Sequence, residues 1–337
     1  MKTDLRKNKL FMSLLTASLL VVMTACGAKT ADPAATATPT PAAATTPAPE
    51  AKADAHTQYP LTVKDATGQE FKFDKAPERI VSVSPAETES LFALGLGDKI
   101  VGVSDYDDYP EEAKSKPKMG SITKPTVEAL IGAKPDIVFT GVSMKEATVE
   151  ELRKVGIQIF KVEPKTLDDV MNNIVLYGQI TDANEAAQKI VTKMKQEIEL
   201  VQSAVKDVKP EDRKKVLLEF SPGWTVGKGE FMSELITIAG GVNVAAELGI
   251  TGWAEMNEEL IIQQNPQVIL YADKLVDDKS KKTLETLIRE RASWSKVDAI
   301  VKNQLFGLDV NSLSRPGPRV TEGLLQVAKA LYPDLVK

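Results

Sequence analysis

A long amphipathic segment at residues 182–208 constrains the fold more than any other feature of the sequence. Its apolar residues recur at the spacing of one helix face, at Ala183, Ala187, Ile190, Val191, Met194, Ile198, Val201 and Val205. Asp182 is predicted to cap the start of this helix and Pro210 to end it. Such a helix spans roughly 40 Å, about the width of a domain. No helix of similar length is predicted on either side, so we expect one long helix, within a connecting segment at 166–210, to join two structured halves.

Both halves alternate short apolar strands with helices. After a predicted β-hairpin at 61–73, the first strand of the N-terminal half ends at Ser84-Pro85, and the first strand of the C-terminal half ends at Ser221-Pro222. This alternation favours parallel sheets covered by helices. The predicted boundaries are 59–165 for the N-terminal lobe and 211–337 for the C-terminal lobe.

A second correspondence links the two halves more specifically. The run Thr126 to Ile131 has a capping residue, a glutamate two positions later (Glu128), and a proline before a strand. The run Asn257 to Ile262 repeats the pattern with Glu259 at the same spacing. We therefore predict an α/β fold of two Rossmann-like lobes with mainly parallel sheets, joined by the long helix. Ligands of open α/β sheets bind at the carboxyl ends of strands, which places a ligand cleft between the lobes.

The N-terminus has the features of an export signal. Basic residues precede an apolar core at 10–23, and small residues lead to Cys26. The pattern resembles a bacterial lipobox, which implies a signal peptide at 1–25, lipid on Cys26, and an anchor on the outer face of the cell membrane; an ordinary secretory signal is the alternative. Residues 26–58 are rich in Ala, Thr and Pro and predict a disordered tether. A long tether after a lipid anchor favours a Gram-positive cell.

Composition excludes several classes of function. The chain has one cysteine, Cys26, and one histidine, His56, which is expected to be solvated and without function, so the folded part offers no histidine for a catalytic triad, a zinc site or imidazole ligation of haem. The net charge of -5 does not indicate nucleic-acid binding. We predict no catalytic residues, no metal site and no covalent cofactor apart from the lipid. A surface-anchored enzyme that uses only carboxylates stays an alternative, although no paired-acid pattern is evident.

Four further motifs occur along the chain: the run Arg79 to Pro85 with Thr88-Glu89 and Leu94-Gly95, the run Asp105-Tyr106 with Tyr109 to Ala113, the run Ala133 to Val138, and the run Arg315 to Arg319. Together they resemble one known family, the helical-backbone substrate-binding proteins of ABC importers. The second motif is most similar to the vitamin B12-binding branch. The resemblance covers residues 61–332. It implies a monomeric extracytoplasmic receptor that captures cobalamin or an iron-siderophore chelate, or alternatively haem, and delivers it to a membrane permease.

The resemblance also implies a docking surface. In this family, paired glutamates on the two lobes contact arginines of the permease, and the matching residues here are Glu128 and Glu259. The expected partners are an ABC permease dimer with its ATPase subunits. A first-turn glutamate that only stabilises its own helix, by about 0.3–1 kcal/mol, is the alternative at each position.

The ligand contacts that the resemblance implies are less complete. Tyr106 and Trp253 match aromatic positions that stack on the corrin ring of cobalamin, but two further such positions are Ile122 and Gly141 here. Trp224 is a candidate replacement, or alternatively packs its own loop.

The remaining candidates are polar. Arg315 is predicted to pair with an anionic group of the ligand, the alternative being that it holds its own loop by hydrogen bonds. Ser84, Glu87 and Lys228 are weaker candidates, placed only by their position after strand ends. Trp294 is expected to pack in the core.

Overall fold

The structure is a computed structural model, and it describes residues 56–336. The predicted signal peptide, Cys26 and most of the predicted tether lie outside these residues. His56 and Thr57 lie within them and contact Asp182, through a 3.1 Å contact from His56 Nδ1 and a 2.6 Å hydrogen bond from the Thr57 amide. Within the described residues no helix is both long enough and apolar enough to cross a membrane.

The N-terminal half contains an antiparallel hairpin followed by alternating strands and helices. Its elements are β1 (Leu61–Lys64), β2 (Glu70–Phe73), β3 (Ile80–Ser82), α1 (Pro85–Ala93), β4 (Ile100–Val103), α2 (Val127–Ala133), β5 (Ile137–Thr140), α3 (Glu146–Lys154), β6 (Ile159–Lys161) and α4 (Leu167–Thr181). Strands β3 to β6 form one fully parallel sheet in the order β4-β3-β5-β6. This sheet and its helices form the N-terminal lobe, as the alternating pattern predicted.

The long helix, α5 (Asn184–Val205), has 22 residues and therefore spans roughly 33 Å. Near its start Ala187 packs so closely on α4 that a Cβ at Gly178 would lie 2.6 Å from the Ala187 Cβ. Further along, Glu197 accepts a 2.5 Å hydrogen bond from Thr321, and Val205 packs against Gly240. The helix thus contacts the N-terminal lobe at one end and the C-terminal half at the other.

The C-terminal half repeats the alternation with an added antiparallel hairpin. Its elements are β7 (Lys215–Ser221), β8 (Trp224–Val226), α6 (Phe231–Ile238), β9 (Val242–Asn243), α7 (Val244–Glu247), β10 (Trp253–Glu255), α8 (Glu258–Gln264), β11 (Val268–Ala272), α9 (Leu284–Arg289), α10 (Asp298–Val301), β12 (Leu305–Leu308), α11 (Val310–Ser314) and α12 (Val320–Leu331). The sheet order is β10-β8-β7-β11-β12, with β9 also on β7. Strands β7, β11 and β12 are parallel, whereas β8 and β10 are antiparallel. This sheet and its helices form the C-terminal lobe.

One hydrophobic core runs through both lobes. It includes Phe139 and Tyr177 on the N-terminal side, Val201 in α5, and Leu218 and Leu324 on the C-terminal side. Each lobe also has a smaller core on the other face of its sheet, and the second of these contains Trp294, as predicted. The long helix is therefore part of a continuous core that joins the lobes.

Two predictions about the connecting segment were wrong. Asp182 does not cap the start of α5; it ends α4 in the left-handed conformation with φ 58°, and Ala183 occupies the start of α5 without a side-chain cap. Helix α4 itself, 15 residues long, lies immediately before α5, where no comparable helix was expected. Its start is fixed by a capping box between Thr166 and Asp169, a signal that was present in the sequence.

Helix α1 begins directly after β3, at the serine-proline pair that the sequence analysis placed at the end of that strand. Ser84 occupies the N-cap position and Pro85 the first helical position, where the missing amide and fixed φ of proline suit a helix start. The serine-proline pair that marks the end of β3 therefore also begins the helix. As a result, Glu87 and Glu89 lie in the first two turns of α1, at the carboxyl edge of the sheet.

Candidate functional site

Three adjacent strands of the N-terminal lobe end at one edge of its sheet. Ser84 follows the central strand β3, the loop at 104–109 follows β4, and Gly141 follows β5. Tyr106 projects from the loop with 58% of its surface exposed, whereas Ser84 is buried. An exposed aromatic side chain at this edge is suited to contact a ligand.

The loop that carries Tyr106 is held in place from below. The buried carboxylate of Asp107 accepts a 2.6 Å hydrogen bond from the Ser104 amide, and the Ser104 hydroxyl also donates to it. The Tyr106 amide in turn donates to Ser104 Oγ at 3.3 Å. Burial raises the pKa of Asp107 even though these bonds oppose the shift. The loop is therefore a fixed support for the tyrosine ring.

The C-terminal lobe presents a pair of tryptophans on two neighbouring antiparallel strands, β8 and β10. Strands β8 and β10 pair so that Trp253 lies opposite Val226 and Trp224 lies opposite Glu255. Opposite residues share a face and diagonal neighbours are about 7–8 Å apart, within reach of aromatic side chains. Trp224 is 42% and Trp253 is 38% exposed. The pairing of β8 with β10, which did not follow from the sequence pattern, thus brings these two predicted ligand contacts together.

Phe220 supports this aromatic surface from β7. Its ring lies edge-on to that of Trp253, with 4.6 Å between the centroids, a favoured aromatic geometry. Lys228 is exposed just after β8. Its backbone forms hydrogen bonds with Ile250 and Gly252, which lie just before β10. The two exposed indole rings and the exposed Lys228 therefore lie on neighbouring parts of this lobe.

An ionic cluster joins the two lobes beside the tyrosine loop. Arg315 donates to Glu89 at 2.8 Å and to Asp108 at 2.7 Å, and Arg319 donates twice to Glu89, at 2.8 and 2.7 Å. The Arg319 guanidinium also lies 4.0 Å from the centre of the Tyr109 ring. We call Glu89, Asp108, Arg315 and Arg319 the interlobe clasp. Arg315 therefore joins the two lobes, which differs from its alternative interpretation of holding its own loop, and its contact with a ligand stays a prediction.

A matching contact lies on the other side of the lobes. Glu234 in α6 accepts a 2.7 Å hydrogen bond from the Leu167 amide at the start of α4. Glu234 and Glu89 each lie six residues before a glycine with positive φ, Gly240 and Gly95. In each lobe a glutamate of the first helix thus binds the segment that begins the last helix of the other. The sequence analysis did not find this repeat, because Glu89 and Glu234 are recognised as equivalent only when the segments that they bind are known.

The same side carries a further interlobe pair. Lys165, which follows β6, donates to the buried Glu230 at 2.9 Å. Glu230 lies at the start of α6, which follows β8 along the chain. Together with the clasp, this pair brings the carboxyl edges of the two sheets to face each other. That Tyr106 on one lobe and Trp224 and Trp253 on the other line the cleft between the lobes stays a prediction.

The predicted docking residues, Glu128 and Glu259, occupy equivalent places in the two lobes. Helices α2 and α8 each have seven residues, and each ends in a left-handed residue, Lys134 with φ 47° and Asn265 with φ 49°. Glu128 and Glu259 are both exposed, and neither carboxylate forms an ion pair or hydrogen bond within residues 56–336. The neighbouring Glu258, by contrast, contacts Arg291 at 3.3 Å. The repeated position thus leaves one free carboxylate on each lobe.

An exposed apolar side chain accompanies each free glutamate. Ile131 in α2 is 54% exposed and Leu260 in α8 is 40% exposed. Their sequence neighbours Leu130 and Ile261 are fully buried. The two apolar residues are not equivalent, because Ile131 lies three residues after Glu128 whereas Leu260 directly follows Glu259, so only the carboxylate repeats between the helices.

The chemistry of the described residues suits binding. No group of three or more potential metal ligands occurs within residues 56–336. Glu87 is 2% exposed, and burial raises its pKa to about 7 against an opposing hydrogen bond from Ser84. Glu87 and Ser84 were predicted as cleft contacts, and the structure places both beneath the cleft surface.

Comparison with known proteins identifies the family. A sequence model described as periplasmic binding protein matches residues 80–311, which is more than half of the chain. The chain therefore belongs to the periplasmic binding protein family.

Two relatives match most of the chain. The chain is 33% identical over 296 residues to an uncharacterised ABC transporter substrate-binding lipoprotein of Bacillus subtilis, covering 86% of this chain and 91% of that protein. It is 28% identical over 327 residues to a cobalamin-binding protein of Halobacterium salinarum, covering 96% of this chain and 84% of that one.

Two solved structures share the fold. The vitamin B12-binding protein of Vibrio cholerae aligns with a TM-score of 0.65 at 26% identity, covering 76% of this chain and 97% of that one. A periplasmic haem-binding protein from Roseiflexus aligns with a TM-score of 0.67 at 25% identity, covering 76% and 98%. The predicted two-lobed α/β architecture and the predicted family are confirmed.

Proposed function

We propose that this protein captures a metal chelate with a flat face outside the cell and delivers it to the permease of an ABC importer. The observation that supports the proposal is the exposure of aromatic side chains on both lobes, Tyr106 on one and Trp224 with Trp253 on the other. Aromatic side chains bury large flat areas without needing a charged partner. The names of the relatives support a corrinoid or an iron chelate as the ligand.

Haem is the second candidate. The structural likeness to a haem-binding protein favours it, and an aromatic cleft would accept the flat porphyrin. A carboxylate-dependent enzyme has no comparable support, since the matched family consists of binding proteins.

The proposal includes the anchor and the partners. Lipid on Cys26 would hold the protein at the outer face of the cell membrane, and one relative is itself named a lipoprotein. The monomeric receptor would dock through Glu128 and Glu259 onto a permease dimer served by ATPase subunits. A Gram-positive origin would suit the long predicted tether.

Binding is tested directly by tryptophan fluorescence of the purified protein. We expect micromolar or tighter binding of at least one of cyanocobalamin, haemin and ferrichrome, because Trp224 and Trp253 would stack on a flat ligand. Trp253→Ala should weaken binding about tenfold or more, since a stacked aromatic contributes about 1–3 kcal/mol. Trp294→Phe, in the buried core, is the matched control for loss of an indole and should leave affinity unchanged. Absence of binding to all three ligands would refute the proposed function.

The size of the conformational change is a separate test. Helix α5 and the continuous core link the lobes, so bending between them would break backbone hydrogen bonds and separate packed side chains. We expect saturating ligand to change the radius of gyration, measured by solution scattering, by less than about 1 Å, well below the value for hinge-closing proteins. A compaction of several ångströms would show that the lobes move independently of α5.

A further inference from the structure

A buried ion pair lies beneath the turn that leads to Trp224. Glu219 in β7 is fully buried, and its carboxylate accepts two hydrogen bonds of 2.6 Å from the Arg291 guanidinium, one on each oxygen. The Gly223 amide donates a further hydrogen bond to Glu219 Oε1 at 2.9 Å. Gly223 lies in the turn between β7 and β8, directly before Trp224. The ion pair therefore fixes the turn that carries this exposed indole.

The same arginine reaches the helix that carries the proposed docking residue Glu259. Arg291 Nε lies 3.3 Å from Glu258 Oε1, and Glu258 is the first residue of α8. The guanidinium carbon also lies 4.6 Å from the centre of the buried Trp294 ring, which supports the arginine from the core. A planar guanidinium has donors in fixed directions, so it holds two carboxylates in one geometry. We call Glu219, Arg291 and Glu258 the arginine link.

Helix α8 is also joined to the tryptophan strands through the backbone. Only Met256 and the capping residue Asn257 separate β10, which begins with Trp253, from α8. The Met256 amide donates to the Gly223 carbonyl at 2.8 Å. The start of α8 is therefore connected to both ligand-contact strands, by main-chain bonds and by the arginine link.

The N-terminal lobe has no equivalent of the arginine link. Counted back from the two serine-proline pairs, Ser82 occupies the place of Glu219, and in the matching cap-acid runs Val127 occupies the place of Glu258. Neither side chain is charged, and the Ser82 hydroxyl accepts a hydrogen bond from Thr88 in α1 instead. Within residues 56–336 no ion pair joins β3 to α2. The two docking helices are therefore connected to their sheets differently.

We propose that Arg291 is a positioning residue that couples ligand contact at the two tryptophans to the docking carboxylate Glu259. The C-terminal lobe, rather than the N-terminal one, then makes permease docking depend on bound ligand. The inference rests on the proposed function and adds how the docking surface distinguishes loaded from empty protein. A ligand on the tryptophans stabilises their strands, and the arginine link extends this to the first turn of α8, because opening of that turn takes Glu258 away from Arg291. Two sites that share one ordered element affect each other's affinity reciprocally.

Backbone hydrogen exchange, measured by mass spectrometry on the purified protein, tests the inference. The probe is cyanocobalamin, haemin or ferrichrome, whichever changes the tryptophan fluorescence. At about 100 times its Kd, a ligand slows exchange through an opening that disrupts its site by up to about 100-fold. We expect exchange of the α8 amides at 261–264 to slow about tenfold or more, and that of the equivalent α2 amides at 130–133 by less than about threefold.

Two variants break the arginine link at different points. Glu258→Gln removes its outer end and should reduce the slowing in α8 to about threefold or less, while the affinity for the probe changes by less than about twofold. Glu219→Gln with Arg291→Gln removes both buried charges together, so that neither is left unpaired, and should reduce the slowing equally at the same multiple of its own Kd. Asp65→Asn with Arg153→Gln is the matched control, since it removes a similarly buried pair from the N-terminal lobe. It should leave the response of α8 intact.

The outcomes separate the inference from the proposed function. Equal slowing in α2 and α8, or undiminished slowing in Glu258→Gln, would overturn the inference while leaving a chelate receptor. Failure of every probe to bind would refute the proposed function and the inference together. If the Glu219 and Arg291 double variant does not fold, Glu258→Gln still decides the result, because the Glu258 side chain is 44% exposed.

Discussion

Replacing Glu128 and Glu259 together by alanine should abolish most chelate uptake by cells while leaving ligand affinity nearly unchanged. Both carboxylates are exposed and unpaired in the described structure, so their loss removes no internal bond. If each pairs with a permease cation, its removal leaves that cation unpaired, at a cost of about 2–5 kcal/mol. Each single variant should lower uptake about tenfold or more, and the double variant should be worse.

A matched control and a stronger variant make this result specific. Glu146 is likewise an exposed glutamate in the first turn of a helix, α3, so Glu146→Ala removes the same helix-dipole interaction without a counterpart in the other lobe. It should not affect uptake. Glu128→Lys with Glu259→Lys should be more harmful than alanine, because like charges would then face each other. Equal losses of ligand affinity and uptake would show that the glutamates serve binding or folding instead.

Glu89→Gln should lower the free energy of unfolding more than any other single substitution that keeps the side-chain shape and removes only its charge. The Glu89 carboxylate is 2% exposed and accepts bonds from Arg315 and Arg319 of the other lobe. Glutamine keeps the shape but leaves both guanidinium groups short of a negative partner, and breaking a buried pair in this way costs about 3–5 kcal/mol. Urea denaturation of the purified protein measures the change in the free energy of unfolding.

Glu78→Gln is the control for this effect. Glu78 pairs with Lys99 at 3.4 Å on an exposed surface, where ion pairs contribute only about 0–1 kcal/mol. If the two substitutions change the free energy of unfolding by similar small amounts, the interlobe clasp does not stabilise the protein. The Glu89 variant should also alter the loop of Tyr106, since Asp108 would then hold Arg315 alone.

Local patterns in the sequence predicted most elements of the sheets and helices. The strands β3, β4 and β5 and the helix α2 begin and end within about two residues of their apolar runs and caps, as local signals allow. The repeated cap-acid-proline pattern correctly indicated that α2 and α8 are equivalent. The helix α4 was missed because Asn172, Asn173 and Gly178 have low helix propensity, and tertiary packing outweighs propensity there.

The candidate site depended on contacts between distant residues and was less predictable. Strands β8 and β10 have three residues each, too short to give a periodic signal, and 26 residues that include α6, β9 and α7 lie between them. Arg315 contacts Glu89 across 226 residues of sequence, and nothing local indicates that pairing. Residue types suggested the site, but its geometry came from tertiary structure.

The continuous core means that the repeated half of the sequence is not an independent folding unit. Val201 and Val205 of α5, with Leu324 and Leu331 of α12, belong to the same apolar cluster as Phe139 and Ile174 of the N-terminal lobe. A lobe expressed alone would expose its share of that cluster to water, at about 25 cal/mol for each Å² of apolar surface. Gene duplication can thus give two similar lobes, while the stability of the protein depends on both lobes together. A truncated chain that ends before α5 should be degraded by proteases rather than act as a smaller binding protein.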